Sequence, residues 1–215
     1  MKNNTVKLDE LEFDTIYKDN EGRFFKIFLD EYSDFSVFDG DIVTILTWER
    51  DYLSPDENDD TPEEFAEKHG VDISHAWGLD DLINAMKEEG YYAVPVYALH
   101  HGAVSHYSIY DFHDQWDSGA VGIAFCKRQE GLLDNDDYLE TIIDRRVKIY
   151  DAWVSGEIYG ISRLSQDETV LDESFGYMML DNNTTETLKE MLSAVGIDIQ
   201  DEYQTATRKL SVSLE

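Results

Sequence analysis

The stretch Tyr91–Cys126 reads YYAVPVYALHHGAVSHYSIYDFHDQWDSGAVGIAFC, and it decides the fold class. Tyr91–Leu99, Val104–Tyr110 and Ala120–Cys126 are short runs of β-branched and aromatic residues broken by Gly, Ser and Asp, which is the pattern of strands. The gaps between them are too short for helical crossovers, so these strands pair antiparallel. Pro95 has no N–H to give a ladder, which places it at an edge or beside a bulge. Val94, Val96, Val121, Ile123 and Phe125 are the expected buried positions.

Outward from this stretch, strands are also expected at Arg23–Leu29, Asp41–Trp48, Glu157–Ser162, Ser174–Leu180 and Gln204–Ser213. Thr61-Pro62-Glu63-Glu64 is a helix start, with a capping Thr, a Pro at the first position and a Glu at the third. That helix ends near Gly70, and a second runs over 79–89 to Gly90. The longest helix spans Asp134–Val154, with an apolar stripe that includes Ile142, Val147, Tyr150 and Trp153. A fourth covers Thr184–Val195. The expected fold is α+β: one domain over residues 1–215, a mainly antiparallel sheet of about seven strands, and about four helices.

Net charge is the other outstanding feature. Against 17 Lys and Arg stand 47 Asp and Glu, a formal charge of −30 in 215 residues. Solubility alone asks for a magnitude of about 2–8 in a small domain. Residues 91–133 carry only −2, while 1–60 and 134–215 each carry −11. The negative field therefore comes from the segments that flank the central strands. Basic residues never cluster beyond Arg145-Arg146-x-Lys148, so direct nucleic-acid binding is not expected. One cysteine, Cys126, excludes an internal disulfide. No apolar run reaches the ~18 residues of a membrane span, and Met1–Lys18 is too polar and acidic for a signal peptide. The expected setting is the cytoplasm of a host bacterial cell.

Four of the six histidines, His100, His101, His106 and His113, lie among Asp111, Asp114 and Asp117. Such residues could hold a metal or act as an acid–base pair. Yet strand alternation sends His100 and His101 to opposite faces, and no metal-site spacing is present. Asp56-x-Asn58-x-Asp60 starts like a calcium loop, but Thr61 stands where the turn needs Gly. Cys126 closes an apolar strand and reads as a core residue more readily than as a nucleophile. No metal, cofactor or catalytic set follows, and binding ranks ahead of catalysis.

Val94-Pro95-Val96-Tyr97 with His101-Gly102, then Gln115-Trp116-Asp117-Ser118-Gly119-Ala120-Val121-Gly122, resembles a protein family carried by phages, plasmids and conjugative elements. Its members show a proline-led strand with Tyr and His, a W-D-S-G-x-V-G block, a helix ending in Tyr-Asp and an aromatic-Gly step. Tyr150-Asp151 and Tyr159-Gly160 match the last two elements, so the similarity covers roughly 94–160. His101, Trp116 and Asp117 are its core residues. His100 stands where members more often have Asp. The resemblance implies a mobile-element origin. Mobile elements also encode small acidic inhibitors of restriction and CRISPR systems, several of which imitate nucleic acid, and this chain is similar to those in charge.

The leading expectation is therefore an inhibitor that binds a basic nucleic-acid channel of a host defence nuclease as a nucleic-acid mimic. The expected contacts are Asp56, Glu57, Asp59, Asp60, Glu63 and Glu64, with Asp134, Asp136 and Asp137 as a second cluster. Spread over roughly 10,000 Å² of surface, the charge is about threefold sparser than on duplex DNA. Mimicry thus requires the acids to gather on one face. The alternatives are an acidic interaction module without mimicry and a hydrolase or nuclease centred on His101.

Overall fold

The helix signals in the sequence are realised in the backbone. The computed structural model describes residues 5–31, 42–48, 61–72, 78–102, 104–129, 135–179 and 184–206. Among them are ten strands and four helices. In order they are β1 (Thr5–Lys7), a 3-10 turn (Leu8–Glu10), β2 (Ile16–Lys18), β3 (Phe24–Leu29), β4 (Thr44–Thr47), α1 (Pro62–His69), α2 (Leu79–Glu88), β5 (Tyr91–His101), β6 (Val104–Ser108), β7 (Ser118–Lys127), α3 (Asp136–Val154), β8 (Ile158–Leu164), β9 (Val170–Met178), α4 (Thr184–Ala194) and β10 (Glu202–Thr205). Thr61 Oγ1 accepts from the Glu64 amide while the Glu64 carboxylate accepts from the Thr61 amide, closing the expected capping box. Gly70 ends α1 at φ +69°, a left-handed position suited to glycine. No described helix is long and apolar enough to cross a membrane.

The fold is α+β and its pairing is antiparallel throughout, as expected, but the strands form two sheets where the sequence suggested one. Internal contacts divide the chain into two compact units, one built from residues 1–34 and 156–215 and the other from the continuous run 35–155.

In the 35–155 unit the sheet order is β4-β7-β5-β6. Leu46, Ala93, Ile123 and Phe125 pack with Phe65 and Ala66 of α1 and with Leu82, Ile83 and Met86 of α2. The opposite face meets α3, whose Leu139, Ile143, Val147 and Tyr150 are buried. Tyr150 lies 4.7 Å, centroid to centroid, from Tyr107 of β6. Covering both faces explains why these strands read as nearly continuous apolar runs with little charge. Val96, Ile123 and Phe125 are buried as expected, whereas Val94 and Val121 are only partly so. On α3, Val147 and Tyr150 point inward while Ile142 and Trp153 are half-buried, so the inward stripe centres on the neighbouring row, Leu139–Ile143. Pro95 pairs with Ile123 of β7, but β6 pairs only with Tyr97–His101. The side of Pro95 that lacks an N–H therefore faces no strand, and a register shift follows at Val96/Tyr97.

In the other unit the order is β1-β10-β2-β3-β8-β9. Tyr17, Phe25, Ile27, Ile161 and Tyr203 build a core with Leu188, Met191 and Leu192 of α4. The β2–β3 turn is held by Asp19, whose fully buried carboxylate accepts from the amides of Glu21 (3.0 Å) and Arg23 (2.8 Å) and from Arg23 Nε (2.6 Å). The edge strand β9 has two register shifts, one at Leu171 and one beside Gly176 (φ +79°), and it presents Asp172 and Glu173. Bulges and charges spoil an edge as a template for further pairing. Of the last strand expected at Gln204–Ser213, Gln204 and Thr205 are in β10, which starts two residues earlier at Glu202, and residues from 207 onward lie outside the described set.

Candidate functional site

The loop between β6 and β7 is exposed but tightly tied to itself. The Asp111 carboxylate accepts from the His113 amide at 2.8 Å, and His113 takes φ +57° to allow it. The Asp114 carboxylate accepts from the amides of Asp117 and Trp116, each at 2.8 Å, and these bonds hold its pKa below the usual carboxylate value. Ser118 Oγ donates to the Asp114 carbonyl, and the His100 amide donates to the Asp117 carbonyl. Tyr110 donates from its hydroxyl to Glu140 on α3, 3.0 Å away, while Tyr92 donates to the other oxygen of the same carboxylate at 3.2 Å. Burial and that neighbouring charge push the Tyr92 hydroxyl up to about 12. The result is a fixed loop that presents Asp111, Asp114 and Asp117 to solvent with Trp116, which is 87% exposed. Trp116 does not lock the hairpin by packing into it.

The histidines are separated by their partners. His100 is paired across the hairpin with Ser105, 2.9 Å from its hydroxyl. His101, opposite Val104 on the other face, lies 3.3 Å from Asp117. His113 stands 3.4 Å from Asp111, and His106 stands 3.4 Å from Asp151 of α3. Each imidazole thus meets its own partner, and no group of three His, Cys, Asp or Glu among the described residues is set to hold a metal. Cys126 pairs with Tyr92, while Ser118 pairs with Leu99. Eight residues of strand, about 26 Å, separate those two positions. A Cys126 nucleophile would need a base, and that distance keeps His113 and Asp117, which lie by the Ser118 end, away from the thiol. Cys126 is buried, and burial raises its pKa, which opposes a nucleophilic role.

Asp151 is half-buried. Desolvation raises its pKa, against the Tyr107 amide, which donates to it at 2.7 Å, and against His106. An acid with a raised folded pKa weakens the fold as pH climbs from its unfolded value to its folded one, and the loss then stays constant. Asp151→Asn keeps an oxygen for the Tyr107 amide and removes the charge. The variant should therefore be more stable than the wild type at pH 8, with a higher melting temperature. The gap should close as pH falls below about 4. Thermal denaturation from pH 4 to pH 8 measures it, and a variant less stable than the wild type at pH 8 would reverse the assignment.

The acidic residues expected to touch a partner are distributed as follows. Asp56, Glu57, Asp59, Asp60 and Asp134 lie outside the described residues, as does the side chain of Glu63 on α1. Glu64 is exposed and closes the α1 capping box. Asp136 and Asp137 are exposed in the first turn of α3, where the helix dipole favours them. Asp136 is held by Arg128 at 2.6 Å, so part of that cluster's charge is already neutralised. Arg128 also lies over the Tyr92 ring at 5.3 Å. Glu140 extends the α3 acids toward the β6–β7 loop, and sequence reading missed it because it sits one turn inside an apolar stripe. Asp111 and Asp114 were read only as neighbours of histidine. Their own signal was the Asx-turn spacing D-x-H-D-x-W-D.

No protein-family model, curated protein or solved structure matches the chain.

Proposed function

We propose that this protein is a mobile-element-encoded inhibitor that occupies a basic nucleic-acid channel of a host defence nuclease in the bacterial cytoplasm. One observation carries the reading. If each of the 17 Lys and Arg neutralised one of the 47 Asp and Glu, the net charge of −30 would still stand. The chain cannot satisfy its own field, and self-repulsion of that size costs stability in the free state. A surface rich in Lys and Arg removes that cost. Fixed carboxylates displace the counterions such a surface holds, with the same entropic gain that phosphates give.

The test is a pull-down from a bacterial host extract, followed by salt titration of whatever is retained. The expected result is a nucleic-acid-binding protein that DNA or guide RNA competes away. Its affinity should fall steeply between 50 and 500 mM salt as screening grows and ion release loses its advantage. Retention of a partner without a basic surface, unchanged across that range, would defeat the proposal. It would favour a shape-specific interaction module instead.

A further inference from the structure

We infer that Trp116 is the anchor of the docking surface, and that its indole face receives a guanidinium from a cationic segment of the partner protein. The inference rests on the reading above and adds a residue and a contact to it. Tryptophan is among the most buried residues on average, yet here it is 87% exposed on a loop that is otherwise pinned by hydrogen bonds. An indole left in water forgoes apolar burial, and the backbone that carries it is already ordered, so binding need not fix that backbone. Trp and Tyr are among the residue types that dominate binding energy in protein interfaces. Tyr110 is 57% exposed on the same loop and is tied to Glu140.

Charge specifies the occupant. The loop carries Asp111, Asp114 and Asp117, and the two amides that donate to Asp114 hold its pKa below the usual carboxylate value. An aromatic face beside carboxylates fits Arg best, because a planar guanidinium can stack on the ring while its N–H groups reach the acids. The chain already uses this contact internally, with Lys127 over Tyr91 at 5.3 Å and Arg128 over Tyr92 at 5.3 Å. Among the described residues, no Lys or Arg lies over Trp116.

The experiment uses the full chain with two probes, an oligo-arginine and an oligo-lysine peptide of equal length, at low and moderate salt. The wild type should bind the arginine peptide roughly 3- to 30-fold more tightly than the lysine peptide. Trp116→Ala should lose most of that preference while keeping salt-sensitive binding to both peptides, and Trp116→Phe should recover part of it. Unchanged melting temperatures would show that the exposed indole does not support the fold. If Trp116→Ala keeps the full arginine preference, or the wild type has none, the inference is overturned while the acidic-binding reading stands. If neither peptide binds the wild type at low salt, both are overturned.

Discussion

Converting Asp56, Glu57, Asp59, Asp60, Glu63 and Glu64 together to Asn and Gln should weaken partner binding by roughly 100- to 10,000-fold at low salt. The estimate takes six carboxylates at about 0.5–1 kcal/mol each, the scale of Coulomb contacts at a wet interface. Glu64→Gln alone should cost less than about fivefold, because mimicry is shared over many charges. The Gln also preserves the capping box with Thr61, so α1 should remain intact. Thermal stability of the six-residue variant should be equal or higher, since self-repulsion falls. Binding measured by calorimetry or surface plasmon resonance at 50 mM salt decides the matter. An affinity within twofold of the wild type would remove this cluster from the interface, and a collapse in melting temperature would show that the loss came from folding.

Gly122→Ala should destabilise the 35–155 unit by about 3 kcal/mol or more. Gly122 sits on β7 opposite Thr47 of β4. A Cβ built there would meet the Leu46 carbonyl oxygen at 2.0 Å and the Thr47 Cα at 2.8 Å. Both obstacles are backbone, so no side-chain rotation relieves them. Either β4 leaves the sheet edge or β7 distorts, and buried Leu46 and Ile45 lose their packing in the first case. Gly119→Ala is the control, because open space surrounds a Cβ at that position. Urea denaturation should show a large drop in midpoint for Gly122→Ala and almost none for Gly119→Ala. Equal midpoints for the two variants would contradict the close approach of β4.

Much of this architecture was legible because the signals were local. Thr61, Pro62 and Glu64 announce a helix start through atoms a few residues apart, and all of β5, β6 and β7 stand in one stretch with turn chemistry between them. The division into two sheets was not legible. β1 (Thr5–Lys7) and β2 (Ile16–Lys18) are three residues each, too short to show a period of two among charged neighbours. Their place depends on pairing with Glu202–Gln204 and Phe24–Lys26, and the β1–β10 pairing has no local trace. The loop Asp111–Asp117 was legible as chemistry but not as a surface. Its acids were noticed beside histidines, and only the folded loop shows that Asp114 accepts from the Trp116 and Asp117 amides and that the Trp116 ring stands in solvent.

The way β3 meets β8 has a consequence for how the chain is made. Leu29 pairs with Tyr159, and the Asp30 amide donates to the Ile158 carbonyl at 2.7 Å. The 35–155 unit therefore fills the connection of what is, by pairing, a hairpin. On the ribosome β1, β2 and β3 emerge first and must wait for β8 and β10. Elongation runs at about 5–20 residues per second, so the wait is on the order of ten seconds. The 35–155 unit, being one continuous segment, has all its strands and helices outside the exit tunnel before that sheet can close. Pairing β3 with β8 closes a loop that contains that whole unit, and the entropic cost of closing a loop grows only slowly with its length. β1 and β2 lack the strand that pairs with both of them until β10 too has left the tunnel.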